Sequence, residues 1–358
     1  MMRKVLVVIA AALALFSCKN DEYKQYCLMA GDVAMVVTDY GARVMSLTTP
    51  DKDGNLENIV VGHKTVQEYV TPPGERFLGA CVGPVANRIG GASFTIDGVE
   101  YHTPVNDNGC NTLHGGFKGV DHLVWDVVSA CDTAIVFHLL HPDGFEGYPG
   151  NLDMTMTYSL NPNNEFKITY LATTDKPTPV SFSHHPFFCL RGEGNGSVEE
   201  YLMQINASHY TPIDAKSIPT GEIAPVEGTP FDFREPHLIG ERIGQDNEQL
   251  VNARGYDHNW CIDKTTDGVE LVCRFEDPLS GRYVEVLSDQ PGLQFYSGNF
   301  FFGTENGSNG KPLDFRSSLV IETQKYPDAV NHPNFTPVIL RPGEQYTHTC
   351  IFRFGVTK

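Results

Sequence analysis

Hydrophobic positions in this chain recur at every second residue rather than every third or fourth. Leu152, Met154, Met156, Tyr158 and Leu160 alternate with polar residues. Asn161-Pro162-Asn163-Asn164 supplies turn formers, and Phe166, Ile168 and Tyr170 resume the alternation. A period of two puts alternate side chains on opposite faces of a strand, so this stretch predicts a hairpin with one buried face. Phe94 and Ile96, the dipeptide Asp97-Gly98, then Val99 and Tyr101 predict a second hairpin on a tight turn. Val269, Leu271, Cys273 and Phe275 alternate, as do Tyr346, His348, Cys350, Phe352 and Phe354. No convincing helical period runs through a dozen residues. The 34 glycines and 23 prolines are spread as turn punctuation rather than gathered in a linker. The pattern predicts one all-β domain, a large antiparallel β-sandwich of stacked sheets.

Composition adds a core and removes some partners. The 358 residues are 41% hydrophobic and 20% charged, a balance that can bury a sizeable interior. A net charge of −18 argues against nucleic acid as a partner, since that needs a basic face.

The first residues predict export. Arg3 and Lys4 precede an apolar run from Val5 to Phe16, followed by Ser17-Cys18. This is the layout of a secretory signal, and the run is too short to stay in a bilayer as a spanning helix. Leu15-Phe16-Ser17-Cys18 resembles a bacterial lipobox, in which the cysteine is lipidated and becomes the new N-terminus. Phe16 departs from the small residue usual there. Lys19 after the cysteine resembles sorting to the outer rather than the inner membrane. The expected organisation is a signal peptide over 1–17, a lipidated N-terminus and tether over 18–30, and a single domain over 31–358. The expected location is the cell envelope, periplasmic or outer membrane. Eight further cysteines are scattered without a C-x-x-C pair, and Cys273 and Cys350 fit small core positions in alternating strands.

Candidate chemistry begins with Glu322. It follows Leu319-Val320-Ile321 and sits where a charge is costly unless paired or used. Ser183-His184-His185-Pro186-Phe187-Phe188 likewise wedges titratable groups among aromatics. A carboxylate and an imidazole are the minimal set for moving protons on and off an uncharged substrate. Three other islands place a polar side chain beside glycine or an aromatic: Asn87-Arg88-Ile89-Gly90, Asn111-Thr112-Leu113-His114-Gly115-Gly116 and Gly255-Tyr256-Asp257-His258-Asn259. Each has an ordinary reading alone: a surface ion pair for Arg88, a turn cap for Asp257, a satisfied core histidine for His185. The functional reading rests on the set. Arg88 is a fork that can donate to hydroxyls, and Gly115-Gly116 allows close approach of a ligand to the backbone. Adjacent His184 and His185 point to opposite faces of a strand, which makes them poor joint metal ligands. Gly192 to Gly196 reads as a loop, and Asp51 to Asn55 as a turn.

The ordered series of these segments resembles the galactose mutarotase, or aldose 1-epimerase, family. The resemblance runs from about residue 35 to 356. It is carried by Ala86-Asn87-Arg88-Ile89, Asn111 to Gly116, Asp143 to Gly150, Pro179 to His185, Tyr256-Asp257-His258-Asn259, Pro291 to Gly298 and Glu322 to Asp328. At residue 184 the family commonly has Asn before its catalytic histidine; this chain has His, and the catalytic position falls on His185. The resemblance implies a galactose mutarotase-like supersandwich that interconverts the α and β anomers of a hexose by opening and reclosing the ring. It implies Glu322 as base and His185 as acid, with Asn87, Arg88, His114, Asp257 and Gln294 holding the substrate. It implies no metal, nucleotide or redox cofactor. The expected partner is a small-molecule aldose, the protein is expected as a monomer, and membrane contact is expected only through the lipid anchor. An alternative is a non-catalytic carbohydrate-binding envelope lipoprotein, against which the retained acid–base pair argues. A glycosidase would need a second carboxylate across the scissile bond, and Asp257 is the obvious candidate.

Overall fold

Alternation decides most of the architecture. The computed structural model describes residues 22–357. The hairpin read around Asn161 is formed by Leu152–Asn161 and Glu165–Thr174, and Leu152, Met154, Met156, Tyr158 and Leu160 are all buried. It lies inside a nine-stranded antiparallel sheet. In that sheet Glu165–Thr174 also pairs with Tyr346–Val356, whose Tyr346, His348, Cys350, Phe352 and Phe354 all face inward. The short hairpin Ser93–Ile96 and Val99–His102 turns on Asp97 and Gly98, both at positive φ, as a two-residue type I′ loop requires.

A six-stranded sheet supplies the second layer. Its order is Phe187–Phe188, Leu319–Gln324, Gly292–Tyr296, Asp257–Cys261, His209–Thr211 and Ala224–Pro225. Leu293, Phe295, Leu319, Ile321 and Trp260 from this sheet join Met154, Phe166, Ile168 and Phe352 from the larger one in a single apolar core. Burial of that surface is the main stabilising term. Among the described residues the α-helices are two short pieces, Val66–Val70 and Glu248–Ala253. This matches the absence of a helical period.

Two expectations change. The span 18–30, expected as a lipidated N-terminus and tether, contains a strand: Gln25–Ala30 pairs with Val33–Thr38. Leu28 on it is buried in the main core. The alternation from Val269 to Phe275 is broken by a register shift between Leu271 and Cys273 in the strand Glu270–Glu276. Leu271 is therefore exposed while Val272 and Cys273 are both buried. A bulge inserts one residue and reverses the faces that follow. The signal peptide and Cys18 lie outside the described residues.

Candidate active site

The strands Asp257–Cys261, Gly292–Tyr296 and Leu319–Gln324 are buried on both faces, yet one face is polar. Register places Glu322 opposite Gln294 and Gln294 opposite Asn259. Directly paired residues share a face, so these three side chains form a row, with Asp257 and Tyr296 one step along it. The other face carries the core residues Leu293, Phe295 and Ile321. A buried polar row is costly without partners.

The same register delivers the histidine. Phe187 pairs with Val320 beside it in the sheet. Extending that antiparallel register by two residues puts His185 opposite Glu322. Pro186 has no N–H to continue the ladder, and Ser183–His185 pairs instead with Ala80–Val82. The His185 imidazole thereby reaches the Glu322 carboxyl, with Nε2 3.9 Å from Oε2. That gap exceeds a hydrogen bond. His184 points the other way, against the rings of Tyr158 and Phe166 at 5.6 and 6.0 Å. It is a core histidine, as the opposite-face argument requires.

Two further groups arrive on a pair of short strands. Arg88–Ile89 pairs with Thr112–Leu113. Asn87 stands just before the first and His114 just after the second, both at positive φ. Their backbones are cross-tied: the His114 N–H donates to the Asn87 carbonyl at 3.0 Å. The Asn87 N–H donates to His114 Nδ1, also at 3.0 Å. The Asn87 side-chain oxygen accepts from the Arg88 N–H at 2.8 Å. Asn87 thus braces the turn through its backbone and its amide oxygen. Gly115 follows at φ +89°, and a Cβ there would lie 2.0 Å from the Gly83 carbonyl oxygen, so only glycine fits.

Arg88 lies between two carboxylates. Its Nε donates to Asp107 at 3.0 Å, and its Nη1 is 3.8 Å from Asp257. Asp257 also accepts from Gln294 Nε2 at 2.7 Å. The site therefore unites Glu322, His185, His114, Arg88, Asp257 and Gln294, with Asn87 behind them. Sequence reading missed Asp107 and also Phe77, whose ring lies 4.6 Å from His114 and 5.9 Å from His185. Nothing in their local sequence marks them.

Burial sets the electrostatics. Desolvation, reinforced by the nearby Asp257 charge, holds the Glu322 carboxyl well above the usual carboxylate range against the opposing pull of Arg88. Desolvation pushes the His185 imidazole down to about 3. Burial lowers His114 as well, helped by His185, Arg88 and Arg76. Asp257 is raised by burial, and Arg88 and Gln294 resist that rise. These opposite shifts favour the pair's proton on the carboxyl over the imidazole; once that proton passes to His185, the carboxylate left behind is a stronger base and the imidazolium a stronger acid for their shifted pKa values. Glu322 Oε1, His185 Nδ1 and Gln294 Oε1 are buried without a partner, which suits a ligand rich in hydroxyls.

Ligand atoms of His114, His185 and Glu322 converge to within 4.8 Å, close enough to suggest a metal site. The donor chemistry argues against it. His114 Nδ1 accepts from the Asn87 amide, so in the neutral ring Nε2 carries the hydrogen and offers no lone pair. The trio fits hydrogen-bond donation and proton transfer instead.

An all-β scaffold with a buried carboxyl–imidazole pair ringed by hydrogen-bonding side chains fits an acid–base enzyme for small polar substrates. Similarity to known proteins narrows this class. The family model described as aldose 1-epimerase matches residues 24–353. Galactose mutarotase of Rattus norvegicus is 39% identical over 333 residues, covering 93% of this chain and 94% of that protein. Aldose 1-epimerase of Escherichia coli is 36% identical over 330 residues, covering 91% and 94%. The crystal structure of an aldose epimerase homologue from C. elegans superposes with a TM-score of 0.85 at 28% identity, covering 94% of this chain and all of that one. The chain belongs to the aldose 1-epimerase family. It is an isomerase that interconverts the anomers of an aldose.

Proposed function

We propose that the substrate is a hexose of the glucose or galactose type and that Glu322 and His185 carry the chemistry. With the pair's shared proton moved onto His185, Glu322 takes the proton of the anomeric hydroxyl while His185 protonates the ring oxygen. The C1–O5 bond breaks, C1 becomes an aldehyde, and rotation about C1–C2 presents its other face. On closure the two residues exchange roles. His114 and Arg88 hold the ring oxygen and its neighbouring hydroxyls, and Asp257 and Gln294 bind the remaining ones. The observation that carries this reading is the meeting of a buried carboxyl and a buried imidazole at 3.9 Å, both with unpartnered atoms. The relatives named galactose mutarotase support the sugar type. No step calls for a metal or an organic cofactor. Polarimetry of freshly dissolved α-glucose and α-galactose should show exchange far above the buffer rate. Buffer rates across a panel of aldoses would sink the reading.

The protein is further proposed to be an exported monomer, lipidated at Cys18 and held at the envelope by that anchor alone. The support is the residue order from Arg3 to Lys19. Cys18→Ala should move the protein from the membrane to the soluble fraction, and mass spectrometry of the wild type should find a lipid on Cys18. An unlipidated, soluble wild type would reject the anchor.

A further inference from the structure

Both site imidazoles rest against Phe77. The neighbouring Arg76 places its guanidinium carbon 4.8 Å from the Phe77 ring centroid. The same guanidinium reaches two other segments. Its Nε and Nη2 grip the Asp121 carboxylate at 2.9 and 2.8 Å. Its Nη1 donates to the Gly116 carbonyl at 2.9 Å, at the end of the turn that presents His114. Asp121 is wholly buried, and it also faces the buried Arg43, whose Nη2 is 3.4 Å away. Arg43 in turn donates to the carbonyls of Arg76, Leu78 and Asp121. One carboxylate thus ties the chain at 76–78 to the chain at 116–121.

An exposed pair of this kind contributes little to stability. Here the acid is buried, the fork is bidentate, and its third contact ends on the active-site turn. Asn106 also holds this turn, donating to the Leu113 and Gly116 carbonyls at 3.0 Å. The turn needs such pins because His114, a residue with a Cβ, lies at positive φ (51°). Strained backbone of this kind persists only where the surroundings over-determine it.

We infer that Arg76, gripped by Asp121, is a positioning residue for anomer exchange: it fixes the Phe77 ring and the Gly116 carbonyl so that the His114 imidazole keeps one orientation and stays on the Asn87 N–H that sets its tautomer. The inference rests on the proposed role of His114 in holding the sugar.

The test compares wild type, Arg76→Ala and Arg76→Lys by anomer-exchange kinetics and by ¹⁵N NMR of the imidazoles. Arg76 is partly exposed, and Asp121 keeps Arg43 in its absence, so the alanine variant is expected to fold; Arg76→Gln replaces it if it does not. Misplacement by about 1 Å costs on the order of 10²-fold in rate, so kcat should fall at least about tenfold with KM changed less than about threefold. Arg76→Lys should recover part of that loss, because it restores the charge beside Phe77 and a donor for Gly116. The His114 signals should report the Nε2–H tautomer in wild type and a mixture in the alanine variant. Wild-type kinetics in Arg76→Ala would overturn the inference. So would a loss of kcat that Lys does not recover while the His114 signals stay as in wild type. Absence of exchange in the wild type, or full activity of His114→Ala, would instead overturn the functional reading on which it rests.

Discussion

Glu322→Gln is expected to lower the anomer-exchange rate by about 10³-fold, measured by polarimetry at neutral pH. The amide keeps the volume and hydrogen-bonding outline of the carboxyl but cannot take a proton from the anomeric hydroxyl. General acid–base catalysis by one group supplies ~10²–10⁴-fold, and a base with a raised pKa lies toward the upper part of that range. Equal rates for the variant and wild type would remove Glu322 from the mechanism. The same variant should be more stable than wild type at neutral pH. Burial raises the Glu322 pKa in the folded state, so the folded protein binds this proton more tightly than the unfolded chain does. That contribution is fully present below the unfolded carboxyl pKa of about 4.3 and is lost as pH rises through the folded value. Glutamine has no such loss. The melting temperature of the variant should therefore exceed that of wild type at pH 7 to 8, and the gap should close toward pH 4. A site shaped for chemistry at the expense of stability commonly behaves this way.

His185→Gln should cost about 10²–10⁴-fold in kcat, since ring opening then lacks its donor to the ring oxygen. A variant with unchanged kcat would exclude the imidazole from proton transfer. Its effect on acid stability has the opposite sign of origin. The imidazole is held at about 3 in the fold and titrates near 6.5 when unfolded. Between these values the unfolded chain binds a proton that the folded protein refuses, so stability falls as pH drops below about 6.5. His184 and His258 are lowered to about 3, and His141 and His348 to about 4, all chiefly by burial. Six buried neutral imidazoles acting together, His114 among them, predict a steep acid transition. His185→Gln should blunt it by one proton's share.

Much of this site was legible from residue order. Glu322 and His185 stand out because titratable groups interrupt apolar or aromatic runs. Strict alternation from Leu152 to Tyr170 gave its hairpin without help from tertiary context. What escaped detection depends on pairing between distant segments. Nothing near Phe187 announces that it will lie beside Val320, yet that register brings the imidazole to the carboxyl. Asp107 and Phe77 act through neighbours far away in the chain, and their own surroundings look like ordinary turns. The bulge after Leu271 defeats a period-two reading because a single inserted residue exchanges inside for outside. The strand Gln25–Ala30 escapes a period-two reading because only Leu28 on it is fully buried. It offers little alternation to detect.

The groups around the substrate come from two kinds of backbone. Glu322, Gln294 and Asp257 stand on ladder-bonded strands in the middle of a sheet. Arg88 and His114 stand on a separate pair of two-residue strands and the turn that follows it. Changes to the stretch from Asn106 to Phe117 therefore act on the site through Asp107 and His114, whose ring meets His185 at 5.2 Å, while the ladder pairing around Glu322 is made by other segments.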